Sequence, residues 1–404
     1  MASTGEAGRR GPDIRSDCWV RVTLESEGTL KINMTSMVES MYGDSIRALT
    51  SEVLTTLGIT HATVEIEDNG ALPFVLAARI ECAARRAGPV RGTYAPPMID
   101  AAQYGTQKDR MRRSRLYLPG DSPKFFINAG LHGADALILD LEDSVSPSEK
   151  DSAQILVRNT LCAVDFKGAE RMVRINQLPA GFNDLEWIIP CNVHVVLLPK
   201  CESALQVREV DECIQRILKR NRSDRDVYLM PIMESAMGAI RAYEIASACP
   251  RVVALAVGLE DYTADIGTNR TLEGKESFWA RSMVVNAARA ARIQPIDTVF
   301  SDVGDMEGLK ASVLEAKGLG FEGKGCIHPR QISVIHEAFA PTEAEIEKAL
   351  CIVKAFEKAE AEGLGVVSLG SKMIDPPVVK RALRTVKLAQ MSGLLEETPH
   401  GSDA

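Results

Sequence analysis

Carboxylates recur in this chain at one kind of position, directly after short apolar runs. Residues 136–139 run into Asp140, Glu142 and Asp143, residues 227–232 into Glu234, and residues 252–257 into Glu260 and Asp261. Residues 172–175 carry Arg174 and end at Asn176, and residues 194–198 lead to Lys200 and Glu202. Acids gathered from several run ends, without histidine or cysteine beside them, suit a hard cation such as Mg2+, which takes one or two carboxylates plus waters and substrate oxygens. Glu234 and Asp261 are the first choice of ligands. The competing use of any one acid is to cap the following helix or to pair with Arg174 or Lys200. Arg174, in Val-Arg-Ile-Asn, is a guanidinium between apolar neighbours and is suited to grip a substrate carboxylate through two parallel bonds, or else to form an internal ion pair. Lys200 is a second candidate for substrate contact. Arg110, Arg112, Arg113 and Arg115, with Lys124 soon after, form a basic cluster expected at the mouth of the site. Arg115 and Lys124 are the pair expected to meet phosphates. A solvated charged face is the plainer alternative.

The elements that position these groups alternate. Strand-like runs at 115–118, 136–139, 172–175, 194–198, 227–232, 252–257, 296–300 and 325–327 are separated by helix-length segments. Eight strand–helix units over about 220 residues predict a closed (β/α)8 barrel, whose active-site residues sit at the C-terminal strand ends. Before it, residues 11–86 read as a small α+β unit, with strands at 18–24, 30–34 and 61–67, and helices at 36–57 and 71–86. Residues 87–110, rich in glycine and proline, read as a linker. The barrel is assigned to 111–340, and 341–404 to a C-terminal helical lid or trimerisation segment. The fold class is therefore α/β, a (β/α)8 barrel with an N-terminal α+β domain and a helical lid.

Composition excludes several functions. A net charge of −8 and an aromatic content of 5% argue against a nucleic-acid partner. Nine scattered cysteines without a Cys-x-x-Cys pair suit a reducing compartment. The absence of a long apolar run argues against a membrane span, so a cytoplasmic location is expected. No Ser-His-Asp spacing, Gly-x-Gly-x-x-Gly or Walker loop stands out, which leaves hydride transfer and nucleotide hydrolysis unsupported.

Ordered motifs then carry a resemblance. Arg-Arg-Ser-Arg-Leu-Tyr-Leu-Pro-Gly (112–120), Leu-Asp-Leu-Glu-Asp-Ser-Val (139–145), Val-Arg-Ile-Asn (173–176), Leu-Pro-Lys-Cys-Glu-Ser (198–203), Met-Glu-Ser (233–235), Gly-Leu-Glu-Asp (258–261), Cys-Ile-His-Pro-Arg-Gln-Ile (326–332) and Met-Ile-Asp-Pro-Pro-Val (373–378) resemble the citrate lyase beta-subunit family of the HpcH/HpaI aldolase superfamily. The resemblance implies a barrel that cleaves a 3-hydroxy-3-carboxyalkyl thioester into an acyl thioester and a 2-keto acid. It implies Mg2+ on Glu234 and Asp261, carboxylate or enolate contact by Arg174, and a homotrimer or a multiple of one in which Asp375 closes over a neighbour's site as general acid. The base for the hydroxyl stays open among Asp140, Asp143 and metal-bound water.

Residues 18–86 resemble the citrate lyase gamma subunit, an acyl carrier protein, through the stretches 41–47, 67–72 and 76–79. The chain thus reads as a gamma–beta fusion, and a complete citrate lyase would need an alpha (transferase) subunit from another chain. That family attaches a phosphoribosyl-dephospho-coenzyme A arm to a serine in Gly-Thr-Leu-Glu-Ser-x-Asp, where this chain has Gly-Pro-Asp-Ile-Arg-Ser-Asp (11–17). Ungapped counting puts Arg15 at the modified place and a one-residue slip puts Ser16 there, so either Ser16 carries the arm or the domain is uncharged. The expected function is cleavage of a citryl thioester, on the carrier protein or on coenzyme A, to oxaloacetate and an acetyl thioester. The alternatives are a malyl-CoA or citramalyl-CoA lyase on free thioesters, and a non-catalytic subunit of a citrate lyase complex.

Overall fold

The computed structural model describes residues 3–361, 367–369 and 372–396. Residues 362–366, 370–371 and 397–404 of the expected C-terminal segment lie outside them. Period-two alternation builds the first unit. In β4 (Ala62–Asp68), Ala62, Val64, Ile66 and Asp68 are buried and the residues between them half-exposed, because successive side chains point to opposite faces of a strand. With β1 (Ser3–Gly8), β2 (Cys18–Leu24) and β3 (Leu30–Ser36) it forms a sheet ordered β1-β2-β4-β3, in which only β3 and β4 run parallel. Helices α1 (Glu39–Thr56) and α2 (Pro73–Ala87) complete the unit, α2 packing on β1 and β2.

The sequence did not suggest β1, whose Ser-Thr-Gly-Glu-Ala-Gly has Thr4 as its one strand-favouring side chain. Pairing with β2 overrides that, and Gly5 lets α2 pack closely on the strand, since a Cβ there would stand 2.2 Å from the Ala83 carbonyl. The 87–110 segment is irregular apart from one short turn, yet it is tied down along the barrel. Ile99 N–H donates to Cys162 O (3.0 Å), and the Tyr104 hydroxyl to Ala169 O (2.7 Å).

Eight parallel strands, β5 (Ser114–Pro119), β6 (Ala136–Asp140), β7 (Glu170–Arg174), β8 (Val195–Leu198), β9 (Tyr228–Met233), β10 (Ala254–Val257), β11 (Gln294–Asp297) and β12 (Gly323–Cys326), close into a barrel in sequence order, with β12 pairing β5. All eight match the runs read from sequence, within a few residues at each end. Outside them lie α3 (Lys150–Ala163), α4 (Gly181–Ile188), α5 (Ala204–Arg220), α6 (Ala236–Ile240), α7 (Ala242–Ala246), α8 (Leu259–Asp265), α9 (Phe278–Ala290), α10 (Met306–Leu319) and α11 (Arg330–Phe339). The C-terminal segment adds α12 (Glu343–Ala361), a hairpin of β13 (Val367–Leu369) and β14 (Lys372–Ile374), and α13 (Pro376–Met391), which packs on α12. None of the described helices is long and apolar enough to cross a membrane.

The N-terminal unit is bolted to the barrel. Arg79 of α2, fully buried, donates to both Asp17 oxygens (2.9 Å each), to Ser152 Oγ on α3 (2.6 Å) and to Asp121 O after β5 (2.9 Å). Arg158 of α3 reaches back to Glu81 of α2 (2.7 Å), and Arg86 to Asp151 (2.6 Å). Removing one member of a buried pair strands the other charge and costs about 3–5 kcal/mol. Arg79→Met is therefore expected to loosen the N-terminal unit by roughly that amount. Limited proteolysis should then cut within 87–110 at a rate unlike the parent's; unchanged protection would show that the buried pair does not hold the interface.

Candidate functional site

A cleft of about 430 Å³ opens at the C-terminal end of the barrel strands. Tyr117, Asp140, Asp143, Arg174, Glu234 and Asp261 line it, with Arg115 on its wall, so the cleft brings six of the predicted site residues together. Strand geometry explains why. Each apolar run ends at the same rim of a parallel barrel, so the first polar residue past each run faces the mouth.

Arg174, at the end of β7, is gripped from one side. Its Nε and Nη2 donate to the two oxygens of Asp140 (2.7 and 2.8 Å), and its Nη1 lies 3.0 Å from Glu142 Oε2 and 3.3 Å from Asp143 Oδ2. Its guanidinium stands over the Tyr117 ring at 5.3 Å. Burial would raise the Asp140 carboxyl, but the Arg174 guanidinium, the Ser144 side chain and the backbone N–H of Glu142 outweigh it and hold the carboxyl below its ordinary range. Asp140 is thus a fixed anion that orients Arg174. Asp143 keeps a side chain half open to solvent.

Glu234, at the end of β9, is buried and faces Asp261 on the first turn of α8. Burial pushes its carboxyl up to about 7; the Lys200 N–H opposes this, and the neighbouring Asp261 and Glu142 add to it. Lys200 adopts the left-handed region (φ 46°), a conformation uncommon outside glycine. From there its N–H points at Glu234 Oε1 (2.5 Å), while its Nζ bridges Asp261 (2.8 Å) and Glu142 (3.8 Å). Gly258 is needed beside it, since a Cβ there would stand 2.5 Å from Glu234 Oε2.

The donor set fits Mg2+. Two facing carboxylates are all-oxygen ligands of the kind that ion takes together with waters, and a side-chain ammonium already sits against this group of acids. Among the described residues no cluster of three or more histidine, cysteine or acidic side chains could hold a metal. Glu234 and Asp261 would hold the ion.

Other expectations need correction. Arg110, Arg112 and Arg113 do not reach the mouth. They precede β5, and residues before a parallel strand lie at the opposite end of the barrel. There Arg112 is buried against Glu170 (2.7 Å), and Arg113 pairs with Asp135 (2.9 Å). Arg115 is not at the rim either. It shares the inward face of β5 with Tyr117 and is buried inside the barrel. Lys124 is exposed in a short turn after β5, over the Phe125 ring at 4.9 Å. Asp375 caps α13, accepting from Val378 N at 3.2 Å, and is exposed. It does not line this chain's cleft, because α13 is anchored at the far end of the barrel through Arg384–Glu322 (2.5 Å) and Lys387–Asp109 (3.3 Å). Ser16 lies in the N-terminal unit with φ 57°, its N–H donating to Asn69 O (3.0 Å). The neighbouring Asp17 is on Arg79, which also holds Asp121 in the loop after β5.

One site residue, Tyr117, was missed, and another, Glu142, was named among the acids but given no individual role. Glu142 contacts both Arg174 and Lys200; it stood in the Asp-Leu-Glu-Asp stretch, but its inward turn is a loop property. Tyr117 could have been found by alternation from Arg115.

Comparison with known proteins places the two parts. Residues 113–329 match the family described as HpcH/HpaI aldolase/citrate lyase, and residues 11–87 match malonate decarboxylase delta subunit (MdcD). The citrate lyase subunit beta of Escherichia coli (strain K12) is 41% identical over 300 residues, covering 74% of this chain and 99% of that protein. The L-malyl-CoA/beta-methylmalyl-CoA lyase of Rhodobacter capsulatus is 32% identical over 305 residues, covering 70% of this chain and 96% of that one. Among solved structures, CitE from Mycobacterium tuberculosis in complex with magnesium, acetoacetate and coenzyme A superposes with a TM-score of 0.56 at 30% identity, over 71% of this chain and all of that chain.

Proposed function

Because the chain belongs to the HpcH/HpaI aldolase/citrate lyase family, we propose that it is a Mg2+-dependent carbon–carbon lyase that cleaves a citryl thioester to oxaloacetate and an acetyl thioester. The observation that carries the reading is the meeting of Glu234, Asp261 and the Asp140-held Arg174 in one cleft. The magnesium held by the CitE relative supports the cation. When bound, Mg2+ supplies Lewis acidity that favours loss of the substrate's hydroxyl proton.

The bond that breaks joins the hydroxyl-bearing carbon to the thioester's α carbon. The hydroxyl oxygen becomes the keto oxygen as its proton departs, and the bonding pair moves to the thioester as an enolate. Arg174, already oriented by Asp140, meets that developing negative charge with a fixed guanidinium. Of the two acids considered as base, Asp140 is committed to Arg174 and backbone N–H groups, which leaves Asp143 to receive the hydroxyl proton. Asp375 of a neighbouring copy returns a proton to the enolate carbon, in keeping with its distance from its own cleft and with a homotrimer or a multiple of one. Lys124, exposed near the mouth, meets the thioester's phosphates.

The N-terminal unit, docked beside the loop after β5, suits a substrate carried on a phosphoribosyl-dephospho-coenzyme A arm at Ser16, within a citrate lyase complex whose transferase (alpha) subunit is another chain. Nine free thiols accord with a cytoplasmic location. The test offers citryl-CoA, citramalyl-CoA and malyl-CoA with Mg2+ and an EDTA control. Oxaloacetate from citryl-CoA, abolished by EDTA, is expected. Pyruvate or glyoxylate release with citryl-CoA untouched would replace the reading with a lyase for those thioesters. An intact mass equal to the bare sequence would remove the arm at Ser16.

A further inference from the structure

Most buried arginines and lysines among the described residues come with anions. Arg79 has Asp17, Arg112 has Glu170, Arg158 has Glu81, and Arg281 and Lys324 share Asp297. Arg171, without a carboxylate, donates instead to the carbonyls of Ala102, Leu161 and Cys191. Arg115 has neither arrangement. It is 1% exposed, pairs with no carboxylate among the described residues, and its Nε has no partner. Its Nη1 meets only the Met230 thioether (3.1 Å), and its Nη2 reaches the Asp297 carbonyl at 3.5 Å. The Asp297 carboxylate is already taken by Arg281 and Lys324.

An uncompensated guanidinium in a barrel interior is costly, and burial holds Arg115 below its ordinary range. It is nevertheless on the wall of the same cleft as Arg174 and Glu234. Its neighbours on the flanking strands, Ala136 and Gly325, are both small. The two functional ends of the cleft are thus distinct. At the rim, Arg174, Glu234 and Asp261 serve the reacting carbon's hydroxyl and its own carboxylate. Below them, the barrel interior offers, among the described residues, one positive charge without a carboxylate partner.

We propose that Arg115 is the specificity-determining residue for the substrate's third substituent, and that this substituent ends in a carboxylate which pairs with the Arg115 guanidinium. The inference rests on the lyase reading above and narrows it to a substrate whose keto-acid product is a dicarboxylate. A methyl group or a hydrogen in that position would leave the charge unpaired, which is how the cleft would reject the smaller thioesters.

Calorimetric titration of the Mg2+-loaded protein with oxaloacetate and with pyruvate isolates this contact, because the two differ only in the distal carboxylate. The wild type should bind oxaloacetate roughly 10- to 100-fold more tightly, the range expected for hydrogen bonds to a charged group. Arg115→Met, close in length and apolar, should equalise the two while leaving pyruvate affinity unchanged, and it should not lower the melting temperature, since no internal partner is stranded. Arg115→Lys should retain part of the preference. A wild type that binds both keto acids equally, a preference that survives in Arg115→Met, or a marked loss of stability in that variant would overturn the assignment and make Arg115 a structural residue. A wild type that binds neither keto acid would overturn the lyase reading itself.

Discussion

Arg174→Lys should lower kcat by about a thousandfold, the scale on which removal of one aimed donor to a developing oxyanion is felt. The substitution keeps the charge, so the loss reports geometry. A guanidinium can give two bonds to Asp140 and still direct Nη1 elsewhere, whereas an ammonium is a single point with three rotatable donors. Arg174→Ala removes the charge as well and leaves Asp140 buried without its cation, which adds about 3–5 kcal/mol of destabilisation. The two variants separate the roles. Lysine should cost turnover while largely keeping the fold, and alanine should cost both. The readouts are the single-turnover rate of keto-acid release and the urea midpoint of each variant. Near-parental turnover in Arg174→Lys would remove Arg174 from the chemistry and leave it as half of an internal ion pair.

The barrel was legible because each parallel strand, covered on both faces, must be a short apolar run, and because the polar residue past each run must face the mouth. That rule located Arg174, Glu234 and Asp261. Applied in reverse it also shows why Arg112 and Arg113 were misplaced: they come before their strand and lie at the other rim. Arg115 was misread for a different reason. Strand alternation puts it on one face with Tyr117, inside the barrel, where a charged residue is not expected because its burial is costly. The Asp17–Arg79–Asp121 lock and the left-handed Lys200 had no local signal at all. Both exist only once segments distant in sequence meet.

Glu234→Gln should abolish both the Mg2+ response and turnover, and its effect on stability has a definite sign. The Glu234 carboxyl is held at about 7 by burial, with Asp261 and Glu142 contributing, against an ordinary value of 4.5. Between those two values the unfolded chain has released this proton while the folded chain still holds it. The Glu234 contribution to folding stability therefore falls as pH rises from about 4.5 to 7 and stays level above that. At 1.36 kcal/mol per unit, the shift corresponds to a cost on the order of 3 kcal/mol at pH 8. A divalent cation on Glu234 and Asp261 relieves that cost, so Mg2+ should raise the melting temperature far more at pH 8 than at pH 5.5. In Glu234→Gln the amide still accepts from the Lys200 N–H, while the pH-dependent decline and the Mg2+ effect both vanish. A variant that kept both would refute the ligand assignment. The same variant tests where Asp375 acts. Glu234→Gln chains retain Asp375 and Asp375→Asn chains retain Glu234, so oligomers assembled from the two inactive variants should recover keto-acid release if the acid crosses between copies. Mixed oligomers that stay inactive would confine each cleft to the residues of its own chain.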